Sequence, residues 1–99
     1  MIVAKSHEEF KGATREGLVF AYFTATWCGP CKAVSPVFEG LKNVTLVKVD
    51  ADLGDEVFER YDISCIPTIQ VWKSGVLVET VEGCSVEKLM EVYQTHTSR

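Results

Sequence analysis

The 99-residue sequence lacks the long apolar runs that would place it in or across a membrane. A membrane-spanning helix needs about 18 or more consecutive apolar residues, whereas the best apolar run here covers only residues 18–23. The N-terminal segment also lacks the apolar stretch of a secretory signal, because it becomes charged at Lys5 and acidic at Glu8 and Glu9. The sequence therefore predicts a cytoplasmic protein without a membrane partner, in a compartment where thiols are mostly reduced.

Positive charge and cofactor motifs are also scarce. The 10 Lys and Arg residues stand against 14 Asp and Glu, a formal net charge of −4, which disfavours binding to the phosphate backbone of nucleic acids. No glycine pattern typical of nucleotide binding occurs, so we expect no bound cofactor. The composition, 46% hydrophobic and 24% charged, is typical of a globular chain, and the length leaves room for a single domain over residues 1–99.

The chain alternates between strand-like and helix-like segments, with no internal repeat. Residues 18–23 are nearly all apolar, which is typical of a strand buried on both faces, and a Lys73-Ser74-Gly75 turn joins two strand-like segments near the end. We predict strands at residues 2–4, 18–23, 44–49, 68–72 and 76–81. The order βαβαβαββα predicts an α/β fold whose central mixed sheet carries helices on both faces and a closing antiparallel hairpin.

Capping residues and one proline define the predicted helices. Ser6, with Glu9 three positions later, forms a capping-box pattern, and Asp50 and Asp52 are cap-type residues before a short helix. Pro36 deletes one intrahelical hydrogen bond, so we expect a kink there. We predict helices from Ser6 to residue 17, from residue 28 to residues 40–41, from residue 53 to residue 60, and an amphipathic one after Ser85.

The spacing of the four cysteines distinguishes a zinc site, a structural disulfide and a redox pair. Only Cys28 and Cys31 form a C-x-x-C pair, whereas Cys65 and Cys84 are isolated. A structural zinc usually takes four ligands in two close pairs, and the two histidines lie near opposite ends of the chain, so we expect no metal. A disulfide that closes so short a loop stabilises a fold by only roughly 2 kcal/mol, although residues three apart can form and break the bond easily. The spacing therefore favours a redox pair over a structural crosslink.

The position of Cys28 favours reactivity. It falls where the buried strand passes into the second predicted helix, so free backbone N–H groups and the positive end of the helix dipole face its sulfur. A thiolate is stabilised there relative to bulk water, and the thiolate is the attacking species in disulfide exchange. Cys31, one turn deeper in the predicted helix, is expected to keep its proton until it is needed. Cys28 is therefore the candidate nucleophile and Cys31 the candidate resolving thiol.

Several segments resemble those of one known family. Residues 25–32, ATWCGPCK, resemble the active-site segment of thioredoxins, and I-P-T at residues 66–68 resembles that family's cis-proline loop. Gly75 and Gly83 match family glycines, and the similarity covers essentially the whole chain. The resemblance implies the thioredoxin fold. Thioredoxins are themselves a known case of a cysteine acidified at this position, so the lowered pKa expected of Cys28 is also a family property.

The resemblance implies a two-step reduction of protein disulfides. Cys28 attacks a substrate disulfide and forms a mixed disulfide, and Cys31 then attacks Cys28, which leaves the pair oxidised. In this family a separate flavoprotein, thioredoxin reductase, restores the dithiol with electrons from NADPH. Gly29-Pro30 between the cysteines resembles the reducing members of the family. The implied substrates are disulfide-containing proteins such as a peroxidase or a ribonucleotide reductase.

The resemblance also implies an apolar docking patch around Cys28, suited to extended segments of many proteins, with backbone hydrogen bonds at Ile66 aligning the substrate. The residues of this docking patch are Trp27, Gly29, Pro30, Ile66, Pro67 and Gly83. Cys65 falls on the rim of the docking patch, where it could be glutathionylated or could link two otherwise monomeric molecules. Cys84, directly after Gly83, is expected to be structural.

Two positions depart from the family pattern. Most thioredoxins bury an aspartate six positions before the attacking cysteine, which helps to deprotonate the resolving thiol, and here Tyr22 occupies that position. The usual lysine partner on the next strand is replaced by Leu46. Because a tyrosine is neutral at pH 7, we expect Cys31 to lose its proton to water or to the leaving group, and we expect the reduced substrate to be released more slowly.

Two alternatives to a general reductase stay open: a redox-independent interaction module and an oxidoreductase with one client.

Overall fold

The computed structural model describes residues 1–98. Its strands and helices follow one another in the order predicted from the sequence. The strands are β1 Ile2–Val3, β2 Leu18–Thr24, β3 Thr45–Asp50, β4 Thr68–Lys73 and β5 Val76–Glu82. The helices are α1 His7–Thr14, α2 Cys31–Glu39, α3 Asp55–Arg60 and α4 Val86–Thr97.

β2 lies at the centre of a five-stranded sheet with the order β1-β3-β2-β4-β5. β1, β3 and β2 run parallel, whereas β4 is antiparallel to β2 and β5 is antiparallel to β4. After the half-buried Leu18, every residue of β2 is buried, as the uninterrupted apolar run predicts for a strand covered on both faces. Ser74 and Gly75 turn the hairpin with φ angles of 52° and 83°. The mixed sheet and its closing hairpin are therefore confirmed.

Helices cover both faces of the sheet, also as predicted. The cluster under α2 and α4 comprises Phe20, Tyr22, Val34, Phe38, Leu41, Ile69, Val71, Cys84, Leu89 and Val92. The cluster under α1 and α3 comprises Ala4, Phe10, Val19, Ala21, Phe23, Val47, Val49, Val57 and Trp72. Successive residues of a strand point to opposite faces, so β2 contributes alternately to the two clusters. The side chain of Tyr22 therefore faces α2, the helix that carries Cys31.

α1 is shorter than predicted. Ser6 does cap the helix, because its Oγ accepts a hydrogen bond from the N–H of Glu9 at 3.1 Å. The carboxylate of Glu9, however, accepts from the N–H of Lys5 rather than from that of Ser6. The helix ends at Thr14, and the chain turns into β2 through Gly17 in the left-handed region with φ 71°. The prediction that it continues to residue 17 was wrong.

α3 begins later than predicted and is capped differently. It starts at Asp55 rather than at residue 53, and its N-cap residue is Gly54. Asp50 does not cap the helix, because its Oδ1 accepts from the N–H of Asp52 at 2.8 Å and stabilises the turn before it. Neither aspartate caps α3, so this part of the prediction was wrong.

α4 matches its prediction closely. The Oγ of Ser85 accepts a hydrogen bond from the N–H of Lys88 at 3.1 Å, and Leu89 and Val92 are buried against the sheet. No helix within residues 1–98 has the length and apolar character needed to cross a membrane.

Candidate active site

The topology brings four chain segments to one edge of the sheet. β2 and β3 are parallel and end there, with Thr24 opposite Asp50. β4 is antiparallel to β2 and therefore starts at the same edge, where Thr68 lies opposite Phe23 on β2 and Glu82 on β5. The segments that follow β2, β3 and β5 and the segment that precedes β4 all meet at this edge. In open α/β sheets, ligand sites commonly lie beyond the carboxyl ends of the parallel strands.

A disulfide between Cys28 and Cys31 occupies this edge, with the two Cα atoms 5.3 Å apart. Cys28 is 5% exposed and Cys31 is 2% exposed. Both pack with Ala25, and the partly buried side chains of Ala51 and Ile66 border this small cluster. Ile66 therefore connects the disulfide to the segment before β4.

The start of α2 lies three residues later than predicted. Pro30 is the N-cap residue and Cys31 is the first helical residue, so Cys31 does not lie one turn inside the helix. The N–H of Cys28 instead bonds to the carbonyl of Ala25 at 3.2 Å, in a turn that precedes the helix. Residues 28–30 therefore lead into the helix without belonging to it, and Cys28 lies just before its N-terminus.

The N-terminus of α2 nevertheless faces the sulfur of Cys28. The N–H of Cys31 donates to Cys28 Sγ at 3.2 Å. The N-cap residue Pro30 makes no side-chain capping bond, and the first turn of α2 contains no acidic residue. The positive end of this helix is therefore not offset by a carboxylate of its own first turn, which favours negative charge on Cys28 once the disulfide is reduced.

Tyr22 lies behind the disulfide, 1% exposed, with its ring centroid 4.8 Å from that of Phe38. Its hydroxyl donates to the carbonyl oxygen of Cys31 at 3.2 Å and lies 2.8 Å from Ser35 Oγ. Leu46 is partly buried and packs against the same cluster. The β3 residue opposite Tyr22 is Lys48, whereas Leu46 lies opposite Phe20. The prediction that Leu46 takes the place of a lysine beside position 22 was therefore wrong.

Ser35 lies at the site although nothing in the sequence predicted it there. It lies four positions after Cys31, so one turn of α2 brings both residues to the same face. The spacing from Cys31 was visible in the sequence, but the contact with Tyr22 depends on how α2 packs on β2, and no local pattern reveals it.

A cleft of about 320 Å³ opens beside the disulfide, and we call it the polar cleft after the charged and hydroxyl side chains in part of its lining. The residues that line it include Cys28, Cys31, Ser35, Glu39, Lys48 and Asp50. Glu39, Lys48 and Asp50 were not predicted from the sequence to lie at the site. The polar cleft therefore places charged and hydroxyl side chains near Cys31, although residue 22 is a tyrosine rather than a carboxylate.

The expected docking patch is only partly assembled into one groove. Pro30, Ile66, Pro67 and Gly83 line a cleft of about 390 Å³, together with Cys84. The peptide bond between Ile66 and Pro67 is cis, as the resemblance implied. Trp27 and Gly29 are exposed but do not line this cleft. Trp27 is 66% exposed, and its indole N–H donates to Asp52 Oδ2 at 3.2 Å.

The two remaining cysteines have opposite environments. Cys65 is exposed and Cys84 is 2% exposed, and neither forms a disulfide. Burial raises the pKa of the Cys84 thiol to about 11, against a smaller opposing effect of Lys88. The Cys84 thiol donates to the carbonyl of Ser85 at 3.4 Å, and the Cys84 N–H donates to the carbonyl of Pro67 at 2.8 Å. Cys84 therefore ties the start of α4 to the segment before β4.

A C-x-x-C disulfide at the start of a helix, at the edge of a mixed sheet, defines a thiol–disulfide oxidoreductase. No group of three or more His, Cys, Asp or Glu side chains within residues 1–98 is arranged to hold a metal ion.

Comparison with known proteins identifies the family. The family model for thioredoxin matches residues 1–95. Thioredoxin of Bacillus subtilis is 40% identical over 96% of this chain and 97% of its own length, and thioredoxin of Chlamydia trachomatis is 39% identical over 95% and 100%. The solved structure of Plasmodium falciparum thioredoxin has a TM-score of 0.89 at 31% identity, covering 98% of this chain and 100% of that one. The chain belongs to the thioredoxin family and has the thioredoxin fold.

Proposed function

We propose that the chain is a general protein-disulfide reductase in which Cys28 is the nucleophile. The Cys28 thiolate attacks one sulfur of a substrate disulfide, a bond forms between that sulfur and Cys28, and the other substrate sulfur leaves as a thiolate. The observation that carries this proposal is the N–H of Cys31 directed at Cys28 Sγ, at the uncapped N-terminus of α2. The same N–H would stabilise the thiolate before the attack.

Cys31 completes the turnover as the resolving thiol. It loses its proton and attacks Cys28, so that the Cys28–Cys31 bond forms while the bond between Cys28 and the substrate breaks. The electron pair of the broken bond leaves on the substrate sulfur, so the substrate is reduced and the cysteine pair is oxidised. The short distance between the two Cα atoms supports this exchange within one molecule.

Substrate docking uses the residues around the disulfide. The cleft lined by Pro30, Ile66, Pro67 and Gly83 would take an extended apolar segment of the substrate, and the exposed ring of Trp27 would cover another part of it. Cys65, exposed and directly before Ile66, lies where a second molecule or glutathione could react with it under oxidising conditions. We propose a single domain over residues 1–99 that acts as a cytoplasmic monomer.

Recycling requires electrons from outside the chain. We propose that thioredoxin reductase supplies them from NADPH, which would place the protein in an electron-transport chain that maintains cell redox homeostasis. The test supplies the oxidised protein with NADPH and thioredoxin reductase, or with glutathione instead, and follows insulin-disulfide reduction. Turnover with the reductase but not with glutathione supports the proposal, and turnover only with glutathione contradicts it.

Two cysteine variants separate the catalytic roles from the alternative of a redox-independent interaction module. Cys31→Ser should accumulate a mixed disulfide between Cys28 and the substrate, whereas Cys28→Ser should form none. Mass spectrometry of the non-reduced mixture detects the adduct. If the double variant Cys28→Ser/Cys31→Ser kept the biological activity of the protein, the interaction module would replace the reductase as the account of its function.

A further inference from the structure

Behind the disulfide, two hydroxyl groups and a carbonyl oxygen form a short chain of hydrogen bonds. Tyr22 Oη lies 3.2 Å from the carbonyl oxygen of Cys31 and 2.8 Å from Ser35 Oγ. A carbonyl oxygen can only accept, so the single hydroxyl proton of Tyr22 goes to Cys31. When both hydrogen bonds are formed, Ser35 therefore donates to Tyr22, and Tyr22 donates to the carbonyl of Cys31.

These hydrogen bonds hold the backbone of Cys31 from one side, and a bond to Cys28 Sγ holds it from the other. The N–H of Cys31 donates to Cys28 Sγ, and its carbonyl accepts from Tyr22. Two bonds that often hold a first helical turn are missing here. Pro30 makes no side-chain capping bond, and Pro36 has no N–H for the carbonyl four residues before it. The Tyr22 contact therefore supplies a bond to the first turn of α2 from outside the helix.

We propose that Tyr22 and Ser35 are positioning residues for the resolving step, and this proposal rests on the function proposed above. They hold the first turn of α2 so that the sulfur of Cys31 stays within reach of Cys28 when the mixed disulfide has formed. Neither hydroxyl is assigned as the acceptor of the Cys31 proton, because alcohol and phenol oxygens are much weaker bases than a carboxylate. The proton passes instead to water in the polar cleft, which Cys31 and Ser35 both line.

A single-turnover experiment separates attack from resolution. The reduced protein, carrying Cys65→Ser to remove the exposed thiol, reacts with dithiobis-nitrobenzoate. Attack by Cys28 releases one thionitrobenzoate, and attack by Cys31 on the resulting mixed disulfide releases the second. Tyr22→Phe and Ser35→Ala should each slow the second release roughly threefold to tenfold, the effect of one hydrogen bond, at every pH. The first release, and the pH at which the second reaches half its maximum, should not change.

Two further variants distinguish positioning from general stability. Ser35→Thr keeps the hydroxyl and should restore the rate of the second release. Thr14→Ala is the matched control, because it removes a buried hydroxyl that donates to the carbonyl of Phe10 at 2.9 Å in α1, on the other face of the sheet. It should reduce stability without changing the second release.

Three other outcomes would contradict the positioning role or the resolving role of Cys31. An unchanged second release in both Tyr22→Phe and Ser35→Ala overturns the positioning role. A second release whose pH dependence moves upward in Tyr22→Phe overturns it in favour of Tyr22 as the proton route. If the protein without these two changes gave only the first release, the resolving role of Cys31 itself, and with it the proposed function, would fail.

Discussion

Tyr22 places an aromatic ring and a hydroxyl group at a buried position behind the disulfide. The ring packs against Phe38, and the hydroxyl bonds to Cys31 and Ser35, so no polar atom of the side chain is left without a partner. A buried carboxylate at this position would cost desolvation energy, which Tyr22 avoids. The residue therefore favours stability at a position where a proton acceptor would favour release of the substrate.

Tyr22→Asp should lower the stability of the protein and speed the release of the reduced substrate. Loss of the packed ring and burial of a carboxylate should lower the free energy of unfolding by about 3 kcal/mol or more. General base catalysis is worth roughly 100-fold or more, whereas the lost hydrogen bond is worth about tenfold at most, so insulin-disulfide reduction should become faster. Urea denaturation and turnover measure the two effects, with Tyr22→Phe as the control that adds no acceptor. Unchanged turnover in Tyr22→Asp would discard the idea that a missing carboxylate slows release.

Cys84 should respond to alkaline pH in two measurable ways. Because burial raises its pKa from 9.0 to about 11, the folded protein holds this proton more tightly than the unfolded chain does. The stability contributed by the neutral thiol is therefore full below pH 9 and is lost as the pH rises towards about 11. Urea denaturation at a series of pH values should show this loss, and Cys84→Ala should lack it.

The rate of alkylation measures the burial of the same thiol independently. In the folded reduced protein, iodoacetamide should modify the exposed Cys65 while Cys84 stays unmodified below about pH 11. Peptide mass spectrometry assigns the modified residue. Modification of Cys84 as fast as that of Cys65 at pH 9 would show that the thiol is not buried as described.

Among the helices and strands, those with strong local signals were predicted well. The apolar run of β2, the Ser74-Gly75 hairpin turn and the Ser85 cap of α4 depend on short-range chemistry that any fold would use in the same way. The starts of α2 and α3 were placed too early. Both predictions relied on a residue with a helix-start signature. Cys28 lies in a turn before α2, and Asp50 is the last residue of β3, where its side chain accepts a hydrogen bond from the N–H of Asp52.

Tertiary contacts account for what the sequence could not reveal. The Cys28–Cys31 pair and the neighbouring Ile66 belong to two short sequence motifs, which is why the sequence pointed to them. Ser35 and Lys48 carry no such motif, because each joins the site only when α2 packs against β2 and β3. Gly54 is similar, since its role as the N-cap of α3 comes with a close approach to β3 rather than with a capping side chain.

Gly54→Ala tests that close approach. An added Cβ would lie 2.7 Å from the side chain of Val49 and 3.0 Å from the carbonyl oxygen of Ala4, so the junction of β3 and α3 would have to shift. Overpacking of this kind should lower the free energy of unfolding by about 1–3 kcal/mol. Gly12→Ala is the matched control, because its Cβ would meet nothing within 4 Å inside α1, and it should raise stability by up to about 1 kcal/mol. Equal effects of the two substitutions, measured by thermal denaturation, would contradict this account of Gly54.

At the scale of the whole molecule, the sheet topology explains why chemistry concentrates at one edge. Two parallel strands end there and an antiparallel strand begins there, so the disulfide, the segment with Ile66 and Pro67, and Gly83 meet without any long connection. The polar cleft and the apolar docking cleft have no lining residue in common. This arrangement separates the route proposed for the proton from the surface proposed for the substrate.

The central claim is that main-chain groups at the start of α2 stabilise negative charge on the sulfur of Cys28. The most direct measurement is the pH dependence of iodoacetamide alkylation of Cys28 in the reduced protein, compared with the same protein unfolded in guanidinium chloride. We predict that alkylation of folded Cys28 reaches half its maximal rate at a pH well below the value of about 8.5 for an unperturbed cysteine. Half-maximal alkylation at the same pH in the folded and unfolded protein would contradict the claim.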